Sequence, residues 1–342
     1  MRLTDKRVVV TGGAGFIGSH LVDALATKCG ELVVLDDLSV GKLSNIAHHT
    51  SKRNFEFVRA DVCDLESLKT VFQPGDVVFH LAVECLRVAL FDPMRVHRVN
   101  ATGSLNVCIA AHENGVERLI YVSSSEVYGT AETAPMDETH PLRPTTTYGA
   151  DKAAGELTSL AFWRTYGFPV IVVRPFNAYG PREHVDGPSG EVIPRFVDRA
   201  MSGQRPIIFG DGTQTRDFTW VVDTARGILE AAQCDELIGQ EVNIARGEEV
   251  SINDIARLVI DATGQSNMEP EYRPAREGDV VRHLAGTRKS RELFGFEATV
   301  SIEQGINNYV RWVKATADAT VRALALSWDA EVTDSMRPAQ AT

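Results

Sequence analysis

Tyr148 and Lys152, separated by Gly149-Ala150-Asp151, place a phenol and an ammonium four residues apart. On a helix both side chains leave the same face, about one turn from each other. A neighbouring cation favours the phenolate, which makes Tyr148 a base for an alcohol proton near neutral pH. A Tyr-x-x-x-Lys pair alone also describes an ordinary solvated helix face. Two other stretches bear on the choice: the N-terminal Gly12-Gly13-Ala14-Gly15-Phe16-Ile17-Gly18 and the serine-rich Ser123-Ser124-Ser125-Glu126 just upstream of the pair.

The glycines recur every three residues between a strand-like run, Val8-Val9-Val10, and a helical pattern, Phe16 to Cys29. In that context Gly12 permits the tight turn, Gly15 lets the backbone approach a pyrophosphate, and Gly18 lets the helix pack closely on the sheet. The helix N-terminus then holds the negative charge. The next apolar run, Leu32 to Leu35, ends in Asp36 and Asp37. A carboxylate there accepts from both ribose hydroxyls and repels a 2′-phosphate, so the expected cofactor is NAD rather than NADP. Asp61, at the end of the third run, suits the adenine amine or caps the following helix.

Such residues need a sheet to position them. Phe55–Val58, Val77–Leu81, Arg118–Val122 and Pro169–Val173 read as further buried strands. Helical patterns lie between them at Leu65–Phe72, Val99–Glu113 and Thr146–Tyr166. This alternation predicts an α/β fold with a doubly wound, Rossmann-like parallel sheet. After Gly180 the rhythm breaks into a Pro- and Gly-rich loop, Pro181 to Gly190. A helix (Arg195–Met201), a strand (Ile207–Phe209), the turn Gly210-Asp211-Gly212 and a helix capped by Ser251 (Ile252–Ala262) follow. The expected division is residues 1–178 as the nucleotide-binding domain, with a return strand near 241–246. Residues 179–315 form a smaller mixed α/β substrate domain, and 316–342 an Ala-rich tail.

The net charge of −11 argues against nucleic acid or an anionic membrane as the main partner. Five cysteines, Cys29, Cys63, Cys85, Cys108 and Cys234, show no metal-type spacing, and no metal is expected. An odd, scattered set fits a reducing compartment and mostly buried thiols. No apolar run is long enough to span a bilayer, and the N-terminus leads straight into a strand, so the expected location is the cytoplasm.

Taken together, Thr11 to Gly18, His80-Leu81-Ala82, Ser123 to Gly129, Tyr148 to Lys152, Arg174-Pro175-Phe176-Asn177 and Arg216-Asp217-Phe218 resemble the extended short-chain dehydrogenase/reductase family. Within it they are similar to the nucleotide-sugar epimerases and dehydratases. The likeness runs from Val8 to about Tyr309. It implies a catalytic set of Ser124, Tyr148 and Lys152. Tyr148 would take a proton from a sugar hydroxyl, Ser124 would bond the same oxygen, and Lys152 would hold the nicotinamide ribose and depress the Tyr148 pKa. It adds Phe16, Ile17, Val62, Leu81, Ala82 and Asn100 to the glycines, Asp36, Asp37 and Asp61 as cofactor contacts. It assigns Ser125, Asn177, Arg216 and Arg276 to the nucleotide diphosphate and sugar, with the backbone at Val192 lining the nucleobase pocket. A homodimer joined through Val99–Glu113 and Thr146–Tyr166 is a further implication.

The resemblance leaves the reaction open. A 4-epimerase of a UDP-hexose or UDP-hexuronate is favoured, because Arg174 to Arg182 is similar to the epimerase side. Glu126, two places after Ser124, instead resembles the dehydratases and decarboxylases, where it works as an additional acid or base. A catalytically silent NAD-binding sensor is a remote alternative, since Ser124, Tyr148 and Lys152 are all present. Val83-Glu84-Cys85-Leu86-Arg87-Val88 departs most from the family pattern. Arg87 there suits a uronic carboxylate or a surface ion pair, and Glu84 beside the sugar would disfavour an anionic one.

Overall fold

The computed structural model describes residues 1–185, 190–276 and 280–316. The tail beyond Thr316, the middle of the Pro181–Gly190 stretch and Glu277-Gly278-Asp279 lie outside the described residues. The apolar runs form β1 (Arg7–Thr11), β2 (Glu31–Asp36), β3 (Phe55–Arg59), β4 (Val77–His80), β5 (Arg118–Val122) and β6 (Val170–Pro175). Short strands follow: β7 (Ala178–Tyr179), β8 (Ile207–Phe209), β9 (Thr215–Asp217) and β10 (Thr219–Trp220). Next come β11 (Glu241–Ile244), β12 (Glu249–Ser251) and β13 (Glu271–Arg273).

Seven strands build one parallel sheet in the order β11-β6-β5-β4-β1-β2-β3. The expected return strand near 241–246 is β11, paired in parallel with β6. Continuous apolar runs suit this sheet because both faces are covered. Val8 and Val10 point into one core with Leu21 and Ile228, while Val9 points into the other with Leu68, Val107 and Leu160. Each such fully buried side chain contributes about 1.5–3 kcal/mol relative to exposure.

The helices are α1 (Phe16–Leu25), α2 (Leu65–Val71), α3 (Pro93–His97), α4 (Ser104–Glu113) and α5 (Thr147–Tyr166). They continue as α6 (Val192–Met201), α7 (Val221–Gln233), α8 (Ile252–Thr263), α9 (Arg288–Phe294) and α10 (Ile302–Thr316). Helix α1 is shorter than expected. The helix expected from Val99 instead starts at Pro93, where Asp92 caps it by accepting from the Arg95 N–H at 3.0 Å. It widens into a π turn over Arg98–Gly103 before continuing as α4. Ser251 caps α8 as expected, accepting from Asp254 N at 3.0 Å.

Helix α7, absent from the sequence expectations, packs beside α1 through Ala225, Ile228 and Leu229. Helices α6, α8 and α10 enclose a separate core of Phe196, Ile255, Val259 and Tyr309. Among the described residues, no helix is long and apolar enough to cross a membrane.

Candidate active site

The β1–α1 turn is shaped by positions where a side chain has no room. Gly12 has φ +69, and its N–H donates to the Leu35 carbonyl at 2.8 Å. A Cβ on Gly12 would lie 2.6 Å from the Ala82 nitrogen, and one on Gly18 would lie 2.1 Å from the Gly12 carbonyl oxygen. Gly18 therefore makes room for the turn itself rather than for the sheet as a whole. Gly15 heads α1 without a capping side chain, and no acid sits in the first turn, where Phe16 and Ile17 stand. No acid of the helix's own first turn therefore neutralises its positive end.

Asp36 is buried at the end of β2. Its two oxygens accept from Ala14 N at 3.0 Å and Leu38 N at 2.9 Å, which fixes the carboxylate against the turn. Leu38 takes a left-handed conformation, φ +63, to make that bond. These residues fit an anionic dinucleotide: bare N–H groups for the pyrophosphate, and a held carboxylate with remaining lone pairs for the ribose hydroxyls.

Asp37 is turned away, accepting from the Ser39 N–H and hydroxyl at 2.8 and 2.6 Å. Asp61 does not cap α2. That cap is Asp64, while Asp61 accepts from Cys63 N at 2.8 Å and faces Arg98. Val62 and Leu81 are buried, and Ala82 N donates to the Thr11 hydroxyl. Asn100, within the π turn, spends both ends of its amide on the Glu84 main chain at 2.8 and 3.0 Å. It therefore acts by holding the loop after β4.

Tyr148 and Lys152 both lie in the first turns of α5, which Thr146 caps by accepting from Gly149 N. The solvated-face alternative is excluded, because Lys152 is buried, donates to the Val122 carbonyl at 2.6 Å and lies 4.6 Å from the Tyr121 ring centre. Burial pushes its ammonium down to about 7, against the pull of Glu156. Ser124 caps the short turn Ser125–Val127, accepting from Glu126 N at 3.2 Å, and its hydroxyl acts on the Tyr148 phenol.

One expectation is reversed. Burial holds the Tyr148 phenol above the ordinary tyrosine value. The Ser124 hydroxyl works downward, and the charges of Glu126, Cys85 and Glu191 work upward. The protein's own groups therefore do not depress it; Lys152 spends its ammonium on Val122. Glu126 reaches close enough to act on the phenol, and Ser125 is buried beside it.

Glu84 also departs from expectation. It is buried and paired with Arg95 at 2.6 Å, so its charge is cancelled within the protein. Arg87 pairs with Glu191 at 3.3 Å, joining the loop after β4 to the residue that precedes α6. Farther along, Asn177 donates to the Asp217 carbonyl at 3.3 Å, next to Arg216 on β9. Arg276 lies over the Phe209 ring at 3.7 Å, and Val192 opens α6.

Sequence reasoning missed three supports. His80 accepts or donates between Thr11 (2.7 Å) and Ser104 (3.0 Å), tying β1 and β4 to α4. The buried Arg174–Glu156 pair, extended by Arg174 to Tyr128 at 2.7 Å, locks α5 to β6. Asp217 accepts from Gly247 N and Ala285 N at 3.0 and 3.2 Å. His80, Arg174, Tyr128 and Asp217 lie inside the quoted motifs and Glu156 lies four residues beyond one; charged or polar residues between apolar neighbours were the available signal.

The profile of the NAD dependent epimerase/dehydratase family matches residues 8–245. The chain is 35% identical over 312 residues to the UDP-glucose 4-epimerase of Mycolicibacterium smegmatis, covering 90% of this chain and 98% of that one. It is 32% identical over 315 residues to UDP-glucuronic acid decarboxylase 1 of Xenopus tropicalis, covering 90% and 72%. The structure of the Thermotoga maritima UDP-glucose 4-epimerase with UDP-glucose superposes with a TM-score of 0.85 at 33% identity, over 91% of this chain and all of that one. The chain belongs to the NAD-dependent epimerase/dehydratase family, and it is an NAD-dependent enzyme.

Proposed function

We propose that this family member is a nucleotide-sugar 4-epimerase acting on a UDP-hexose or UDP-hexuronate in the cytoplasm. The observation that supports the reading is the convergence of Ser124, Tyr148 and the buried Lys152 where the carboxyl end of β5 meets the first turns of α5. NAD, held by the glycine turn and Asp36, would supply both the acceptor and the donor of the C4 hydride, so the reaction would need no outside oxidant. Tyr148 takes the C4 hydroxyl proton and gives it back, and Ser124 holds that oxygen in line. Lys152, with an ammonium near the neutral range, orients the cofactor ribose.

Gly12, Gly15, Gly18 and Asp36 hold the dinucleotide, with Asp37, Asp61, Val62, Leu81, Ala82 and Asn100 around it. The 179–315 portion takes the nucleotide sugar. Asn177, Arg216 and Arg276 are assigned to the diphosphate, for which arginine's planar fork is suited, and the backbone at Val192 to the base. Relatives of nearly equal identity act on UDP-glucose and on UDP-glucuronic acid by their names, which supports a UDP-sugar and leaves the sugar to the site.

A second reading rests on Glu126. It stands two places after Ser124, where the dehydratases and decarboxylases it resembles carry an additional acid or base for the sugar, and its charge is felt at Tyr148. Product mass from the NAD-loaded enzyme, given a panel of UDP-hexoses and UDP-hexuronates, separates the two. Unchanged mass with altered chromatographic retention is expected. Loss of water or carbon dioxide overturns the epimerase reading. We also propose a homodimer through α4 and α5, whose Leu105 and Leu157 are exposed at 39% and 52%. A monomeric mass by light scattering refutes it.

A further inference from the structure

The Arg87–Glu191 pair has an asymmetry that an ordinary ion pair lacks. The Arg87 side chain is 17% exposed, and its Nη1 is buried without a hydrogen-bond partner among the described residues. Glu191 is 44% exposed and meets the arginine through Nη2 alone, at 3.3 Å. One partner is fixed with unspent donors, and the other stands half in water. A contact of that length on a half-exposed carboxylate is weak and easily exchanged for solvent. A guanidinium held out of water with an unused N–H edge is the opposite case. It gains from a second, bidentate acceptor.

Position makes the exchange relevant to chemistry. Glu191 and Cys85, two residues from Arg87, both act electrostatically on Tyr148. Glu183 is buried with its carboxyl pushed well up, chiefly by burial, further up by Glu191 and down by Arg87. It accepts from Gly180 N at 2.9 Å. Glu84, the other acid on this loop, is taken by Arg95. Arg87 thus bridges the loop after β4 and the residue that precedes α6, and among the described residues Glu191 is its one hydrogen-bonded carboxylate.

We propose that Arg87 reads the carboxylate of a hexuronate, and that Glu191 is an internal stand-in which swings to solvent when that carboxylate arrives. The proposal rests on the nucleotide-sugar epimerase reading and narrows it to UDP-hexuronates. A neutral hexose leaves the arginine paired with Glu191. The charged sugar replaces one exposed contact with a fork-to-carboxylate pair and sets C4 over Tyr148.

The test uses NAD-loaded enzyme carrying Arg87→Gln, Arg87→Lys or Glu191→Gln, assayed on UDP-glucuronate and UDP-glucose. Arg87→Gln is expected to lower the ratio of kcat/KM for the hexuronate over the hexose roughly 100-fold, as a lost charge-assisted pair does. Arg87→Lys restores part of the ratio, and Glu191→Gln raises it by removing the competitor. An Arg87→Gln variant that slows both sugars equally, or a wild type that prefers the hexose, overturns the proposal. Calorimetric binding of UDP-glucuronate to NAD-loaded Tyr148→Phe protein, with and without Arg87→Gln, decides the same point without turnover. If no UDP-sugar is epimerised but Arg87→Gln still abolishes hexuronate binding, the epimerase reading fails and this one stands.

Discussion

Around the β1–α1 turn, the groups offered to a ligand are backbone N–H donors made accessible by Gly12, Gly15 and Gly18, and the charged Asp36 is itself held by two backbone N–H groups. Between the loop after β4 and α6, the groups are long charged side chains that bond to one another, Arg87 to Glu191 and Arg95 to Glu84. The first region is set by sterics and tolerates almost no change. The second is set by pairs that can be exchanged one residue at a time. Relatives of similar identity are named as an epimerase and as a decarboxylase, so it is the particular side chains of a site, not the fold, that must decide between such chemistries.

The largest expected effect lies where the two regions meet. Tyr148→Phe removes the proton acceptor while leaving its ring in α5, so turnover is expected to fall about 1,000-fold with NAD affinity within about threefold. Steady-state assay and NAD titration check both numbers. Near-normal turnover would remove Tyr148 from the role of base.

Gly12→Ala strikes the backbone-built region. Its left-handed φ strains any side chain, and the new Cβ would press on the Ala82 backbone at 2.6 Å. NAD affinity is expected to drop at least about 100-fold, with a lowered Tm. Normal NAD binding would show that the turn is not fixed by sterics, and the comparison would lose its first half. Glu126→Gln probes the side-chain-built region more gently. For an epimerase the expected change in turnover is about fivefold or less, through loss of a charge beside Tyr148. A loss above about 100-fold would move Glu126 into the proton-transfer machinery.

The same contrast explains what could be read from the sequence. The strand–glycine–helix turn, Asp36 and the α5 pair are local patterns, and the structure has those elements where the spacing put them. Arg87 and Glu191 lie 104 positions apart, and no local pattern links them. The π turn that aims Asn100 at the Glu84 main chain has no sequence signature of its own. Helix α7 begins at Trp220 without a capping side chain, so its start signal was missing. Helix α10 did have one: Ser301 accepts from Gln304 N at 3.2 Å, but it lies beyond the last functional motif. The reversed pKa direction at Tyr148 came from burial, which spacing does not report.

The smallest expected effect concerns Asp217, which lies in a quoted motif yet belongs to neither region by its type. It is a charged residue used as a backbone holder, accepting from Gly247 and Ala285 while its Oδ1 has no partner. Burial raises its pKa from 3.8 to about 7, with the backbone bonds opposing. Between those values the unfolded chain is ionised while the folded chain keeps its proton. Stability therefore falls as pH rises through that window, and the cost is complete above about pH 7. Asp217→Asn cannot ionise and keeps an oxygen for the two N–H groups. Its Tm is expected to exceed wild type by about 2 °C at pH 8, with the gap closing toward pH 4. Calorimetric scans across that range check the slope. A variant less stable than wild type at pH 8 would mean that the ionised carboxylate is needed by those N–H groups, and Asp217 would then join the charge-built region rather than the backbone-built one.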